Sequence, residues 1–219
     1  MTGMSGDADG AVSAFAALLR GVERVLGPDH LETLGARANT AYWLRQAGNA
    51  VLAESTFAGL AADSLRILGS EHPRPLAVCT NLAFWRAATG NADGGVSVLA
   101  DLLNACLRVL RPDHPYVLTV RGRLAAMRRR AGDAAGAATA YAELLDDQER
   151  LLGSAHPDTL ATRANLGESL GTAGDTAVAA RMFAELYEDC RRRLGPNHPG
   201  TRAAHDGLRR WQAQSSGTA

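Results

Sequence analysis

Five histidines stand at one spacing: His30, His72, His114, His156 and His198 are each 42 residues apart. Histidine nitrogen is a common zinc ligand, so the series first raises metal chemistry. Equivalent positions on stacked repeats lie roughly 10 Å apart, from ordinary interhelical spacings. Zinc needs several donors at about 2 Å, so one ion cannot collect ligands from two such positions. A side chain that hydrogen-bonds the end of a helix is the simpler role for a histidine in every connector. His205 is off this register and has no Cys or carboxylate partner at ligand spacing.

Other candidate chemistry is thin. Asp146, Asp147 and Glu149 could act as acid and base, but their neighbours give no reason for the burial that would raise a carboxyl pKa. They read as a solvated helix face. Gly-x-Ser-x-Gly, HExxH, Gly-x-Gly-x-x-Gly and Walker patterns are all missing. All 23 basic residues are arginine, which removes a Schiff-base or P-loop lysine and fits a GC-rich bacterial genome. Cys79, Cys106 and Cys190 form an odd set without CxxC spacing and read as reduced, buried thiols. Neither a metal nor another cofactor is expected, and an enzyme on this scaffold would need a polar cluster that the residues do not supply.

Charge and hydropathy exclude further classes. The 23 acidic residues balance the 23 basic ones, so nothing draws the whole chain to a polyanion. Arg128-Arg129-Arg130 and Arg191-Arg192-Arg193 each point three ways around a helix and form no flat patch for nucleic acid. No run of about eighteen apolar residues is present to span a bilayer. The first residues, Met1 to Asp7, lack the charged and apolar regions of a secretory signal, and a cytoplasmic protein is expected.

The elements that carry these residues follow from the same 42-residue step. Leu26-Gly27-Pro28-Asp29-His30 returns as variants ending at each later histidine, without insertion or deletion. Gly48, Gly90, Gly132 and Gly174 recur, each followed by Asn or Asp. A small-residue column (Ala11, Ala53, Gly95, Ala137, Ala179) precedes by four a large one (Phe15, Phe57, Leu99, Tyr141, Phe183). Residues four apart share a helix face, as two closely packed helices require. Alternating strand patterns are missing.

The sequence therefore predicts an all-α chain of antiparallel helix pairs, a shorter helix A and a longer helix B in each period. A B-type helix over 11–26 opens the array, pairs occupy 31–68, 73–110, 115–152 and 157–194, and an A-type helix over 200–212 closes it. These form one domain over 11–212, with 1–10 and 213–219 expected to be disordered. Trp43, Trp85 and Trp211 share a column with Met127 and Ser169 and read as packing between helices rather than a ligand stack.

Asn165-Leu166-Gly167, Leu170, Gly174, Ala179 and Phe183 resemble the tetratricopeptide-repeat pattern. The LGPDHP connector and the string Thr159 to Leu166 are similar to its kinesin-light-chain subclass. This resemblance implies a right-handed superhelical solenoid whose A helices line a concave, peptide-binding groove. Carried over residue by residue, that face comprises Asn39, Tyr42, Arg45, Gln46, Asn81, Phe84, Arg123, Arg129, Arg130 and Asn165. Asparagine can pair with a peptide backbone of any sequence, and arginine adds a fork for carboxylates. The implied function is a non-enzymatic scaffold for a protein or an extended, acidic peptide.

A different function is also open: a regulatory or assembly subunit acting through self-association. The N-terminal helix is apolar around most of its circumference, including Val12, Phe15 and Leu19. A terminal repeat element normally keeps one polar face. The expectation is a homodimer through this helix.

Overall fold

The computed structural model describes residues 5–216, with side chains from residue 10 onward. Among the described residues there are ten α-helices and no strand. They are α1 (Ser5–Leu26), α2 (Leu31–Gln46), α3 (Ala50–Leu68), α4 (Pro73–Ala88), α5 (Ala92–Leu107), α6 (Pro115–Arg130), α7 (Ala134–Leu152), α8 (Pro157–Thr172), α9 (Thr176–Leu194) and α10 (Pro199–Ser216). No helix among the described residues is long and apolar enough to cross a membrane.

The periodic histidines start the even-numbered helices. Nδ1 of His30, His72, His114, His156 and His198 accepts the backbone N–H two residues on, at 3.1–3.2 Å. Each ring thereby satisfies one of the orphan donors of a helix N-terminus, the task usually given to Ser, Thr, Asn or Asp. Three B helices use the conventional residues: Asn49, Asn91 and Asp133 accept from Leu52, Gly94 and Gly136 N–H, whereas the Asp175 side chain at the start of α9 accepts no such bond.

Helix ends depend on glycine at one register. Gly69, Gly153 and Gly195 end α3, α7 and α9 with φ between 74° and 88°, a region that costs side-chain-bearing residues strain. Arg111 occupies this register after α5. There the helix stops at Leu107, capped by Arg108 in ordinary right-handed geometry, and α5 has 16 residues against 19 for α3, α7 and α9. The chain divides close by into two compact units, one ending at Leu110 and one beginning at Arg111.

Unit 1 holds α1 to α5, each packed on its sequence neighbour. Its core uses the small–large columns, with Ala53 and Phe57 of α3 and Leu99 of α5 buried. Arg37 ties three helices: it reaches Glu23 of α1 at 3.0 Å and Asp63 of α3 at 2.8 Å. Unit 2 holds α6 to α10 and repeats the device, with Arg121 to Asp147 at 2.6 Å and Arg163 to Asp189 at 2.8 Å. In the α4–α5 pair the same two positions are Cys79 and Ala105. Unit 2 also packs closely at its end: a Cβ on Gly207 would collide with the Phe183 ring.

Two ends differ from the sequence expectation. α1 begins at Ser5 instead of residue 11, and α10 continues to Ser216, so 5–10 and 213–216 are helical. Once a helix is nucleated, one glycine such as Gly10 costs only about 1 kcal/mol and does not stop it. The rest of the expected disorder, at 1–4 and 217–219, lies outside the described residues.

Candidate functional site

On α2, Asn39, Tyr42 and Gln46 occupy one exposed face at helical spacing. Arg45 turns from it towards α4, its guanidinium carbon 5.4 Å from the Trp85 ring centroid, a cation–π distance. Asn81 and Phe84 share the exposed face of α4. In unit 2, Arg123 and Arg130 are exposed on α6, Arg129 is half-buried with its Nε shielded and unbonded, and Asn165 is half-buried on α8.

The structure brings two of these residues together. Arg123 and Asn165 line one cavity of about 670 Å³ between α6, α7 and α8. A second, of about 680 Å³, lies between α8, α9 and α10. Asn165 and Ala161 of α8 belong to both and form the ridge between them. The other eight residues predicted for the peptide-binding face lie outside these two cavities.

The cavity walls come from different elements for physical reasons. B helices supply the apolar floor, Tyr141 and Leu144 in the first cavity and Phe183 and Leu186 in the second. The Tyr141 hydroxyl donates to the Gly122 carbonyl at 3.3 Å. Burial pushes its pKa up, while Arg129 and Arg123 pull it down, so both cations act on this ring. No ion pair involves Arg123 or Arg129 among the described residues. In the second cavity Arg210 is held by Glu168 at 2.8 Å, and burial raises the pKa of the Cys190 thiol at the floor.

Gln148, on the floor of the first cavity, is a residue that the predicted face does not contain. It is 6% exposed, and its Oε1 has no hydrogen-bond partner. Leaving a buried acceptor unpaired costs about 1–3 kcal/mol. The repeat does carry a signal for it: the same column holds Ser64, Cys106 and Cys190, all small, and only here a long amide.

The corresponding space in unit 1 is bridged. Arg74, which takes the register of Asp158, sends Nη1 to the Leu31 carbonyl at 2.6 Å and passes 3.8 Å from the Cβ position of Gly35. Tyr42 stands there in the register of Ala126, which lines the first cavity.

Three further readings can be placed. Asp147 is no free solvated carboxylate: hydrogen bonds from Arg121 and then Arg150 hold its pKa below the usual range. The tryptophans pack, Trp43 against Phe15 at 6.3 Å and Trp85 edge-on to Phe57 at 4.2 Å. On α1, Phe15 is thus turned onto α2, Val12 and Leu19 are half-buried, and the most open apolar residues are Leu18 and Val25. Among the described residues no group of three His, Cys, Asp or Glu is placed to hold a metal.

Comparison with known proteins bears on the fold. Residues 116–192 match the tetratricopeptide-repeat family. Among solved structures, nearly identical TPR-like repeats of a putative kinesin light chain from Podosopora anserina superpose with a TM-score of 0.69 at 22% identity, covering 85% of this chain and 89% of that one. A single-substitution variant of those repeats gives the same score and identity, with 88% of that chain covered. BtubC (BKLC) from P. vanneervenii gives a TM-score of 0.56 at 15% identity, covering 98% of this chain and 91% of that one. No curated protein matches the chain. The fold is an all-α repeat solenoid.

Proposed function

We propose that the chain is a non-enzymatic, cytoplasmic bacterial adaptor that holds an extended segment of another protein along its A-helix face. Repeats of this fold generally serve protein interaction. The observation that carries the reading is the pair of adjoining cavities on either side of Asn165, in register with the A helices of unit 2. Pockets of this size suit side chains, and the ridge asparagine can pair with the backbone running between them. Arg123 and Arg129, without ion pairs among the described residues, favour carboxylates elsewhere on the segment. Exposed Asn39, Tyr42, Gln46, Asn81 and Phe84 offer a similar face in unit 1.

Ala161 provides the test, because it is exposed and belongs to both cavities. Panning a random peptide library on the parent and on Ala161→Trp should enrich peptides only on the parent, at unchanged melting temperature. Equal enrichment on both proteins would refute the assignment.

A second reading rests on one column. Leu60, Leu102, Leu144 and Leu186 are 0–3% exposed, whereas Leu18 of α1 is 52% exposed. α1 therefore carries the apolar side chains of an inner B helix but leaves Leu18 open, and open apolar surface of that kind marks an interaction face. A second copy, meeting α1 by two-fold symmetry, is the occupant proposed. Sedimentation equilibrium should give a dimer that Leu18→Glu dissociates. A parent that stays monomeric at high micromolar concentration would remove this reading.

A further inference from the structure

The second cavity of unit 2 offers a ligand an apolar wall and one uncompensated charge. We infer that it takes a large apolar side chain of the held segment, with a lysine or arginine close beside it in sequence that pairs with Asp206. The inference rests on the peptide-holding function proposed above and specifies what is held.

A ligand meets only the exposed part of the wall. Phe183, Leu186 and Cys190 close the cavity beneath and are each 3% exposed. Above them Pro157 and Ala161 of α8, Leu194 of α9 and Ala203 of α10 are exposed, and Ala164 is half-buried. None of these five side chains donates or accepts a hydrogen bond. An aliphatic or aromatic side chain therefore enters without leaving a polar group of the wall unmet. The volume of about 680 Å³ admits the largest side chains.

Most polar groups of the rim are already engaged. Glu168 and Arg210 pair at 2.8 Å, and Nδ1 of His198 accepts the Gly200 N–H at 3.1 Å. Asp206 differs: it is exposed, and among the described residues it makes no ion pair, even with Arg202 one turn earlier on α10. The cavity thus carries one net negative charge beside low-dielectric walls that focus its field, and a cation is the complement. Only α10 places a charge in this register, which holds Ala38, Thr80, Gly122 and Ala164 in the other A helices. Ala203, Asp206 and Arg210 follow three-four spacing on one face of α10, so Asp206 stands one turn, about 5 Å, beyond the apolar wall. An extended chain covers that distance in about one or two residues. Carboxylates favoured by Arg123 belong at the α6 end of the segment, and the basic residue at its α10 end.

The experiment is a random octapeptide library panned on the parent, Asp206→Asn, Asp206→Arg and Ala203→Trp. The parent should enrich a large apolar residue with Lys or Arg within about two positions of it. Asp206→Asn should keep the apolar preference and lose the basic one, and affinity for a selected peptide should fall about threefold at low salt, as for one exposed ion pair. Asp206→Arg should enrich Asp or Glu in place of the base. Ala203→Trp, which fills the second cavity without entering the first, should lose both preferences. A basic preference that survives Asp206→Asn, an acidic residue selected beside the apolar one on the parent, or an apolar–basic pair still enriched on Ala203→Trp would each overturn the inference. Peptides enriched with no charge preference beside the apolar residue would overturn it and leave the peptide-holding function standing. No enrichment on any of the proteins would end both.

Discussion

Among the described residues unit 1 and unit 2 each contain five helices from the same 42-residue repeat, yet they leave opposite things open. In unit 1 the spaces between A helices are bridged, by Arg74 to the Leu31 carbonyl and by Arg45 over Trp85, while α1 leaves Leu18 in solvent. In unit 2 the end is sealed and the spaces between A helices are cavities. α10 presents Arg202 and Arg209 in registers where α2 buries Leu34 and Ala41. One repeat geometry can thus place its unsatisfied surface at an end or along a face, and a few substitutions decide which.

The largest expected effect contrasts two leucines of unit 1 in one column. Leu60→Ala should destabilise by about 3 kcal/mol, as for a buried leucine, and Leu18→Ala by less than about 1 kcal/mol in dilute solution. Urea denaturation measures both. Equal costs would mean that Leu18 is covered in solution, and a Leu18→Ala cost that grows with protein concentration would identify the cover as another copy.

A smaller contrast crosses the units at another column. Gly207→Leu should cost about 1–3 kcal/mol, because even its Cβ would overlap the Phe183 ring. Asn81→Leu, exposed at the equivalent position of unit 1, should change stability by no more than about 0.5 kcal/mol. A neutral Gly207→Leu would show that α10 does not sit tightly on α9.

Acid separates the variants least. Asp147 and Asp189 have pKa values lowered chiefly by hydrogen bonds from Arg121 and Arg163. A lowered folded-state pKa gives stability that is present above the unfolded value, about pH 4, and is lost as pH falls through the folded value. Asp147→Asn with Asp189→Asn should therefore cost about 1 kcal/mol in all at pH 7 and flatten the loss of stability below pH 4. An unchanged acid limb in thermal melts would assign that limb to other groups.

The repeat made much of the fold readable. Helix type, pairing and the buried columns follow from spacing, because a 42-residue step without gaps leaves one consistent register. Helix ends were less legible, since Gly10 does not stop an established helix and Arg111 stands where α3, α7 and α9 have their closing glycine, with no gap to mark the shorter α5. For the site, Arg123 and Asn165 were named as a face, but the face does not reveal its depth. Depth depends on the B helices beneath, and Gln148 belongs to one of them. The Arg–Asp ties were also present as a 26-residue offset, in 37 to 63, 121 to 147 and 163 to 189, that only packing makes meaningful.

The most direct measurement is a backbone-amide NMR titration of the full chain with a peptide selected on the parent. Shifts should concentrate at Gly122, Arg123, Ala161, Asn165 and Glu168, which line the two cavities. Shifts confined to α1, or to the outer faces of α7 and α9, would contradict the account.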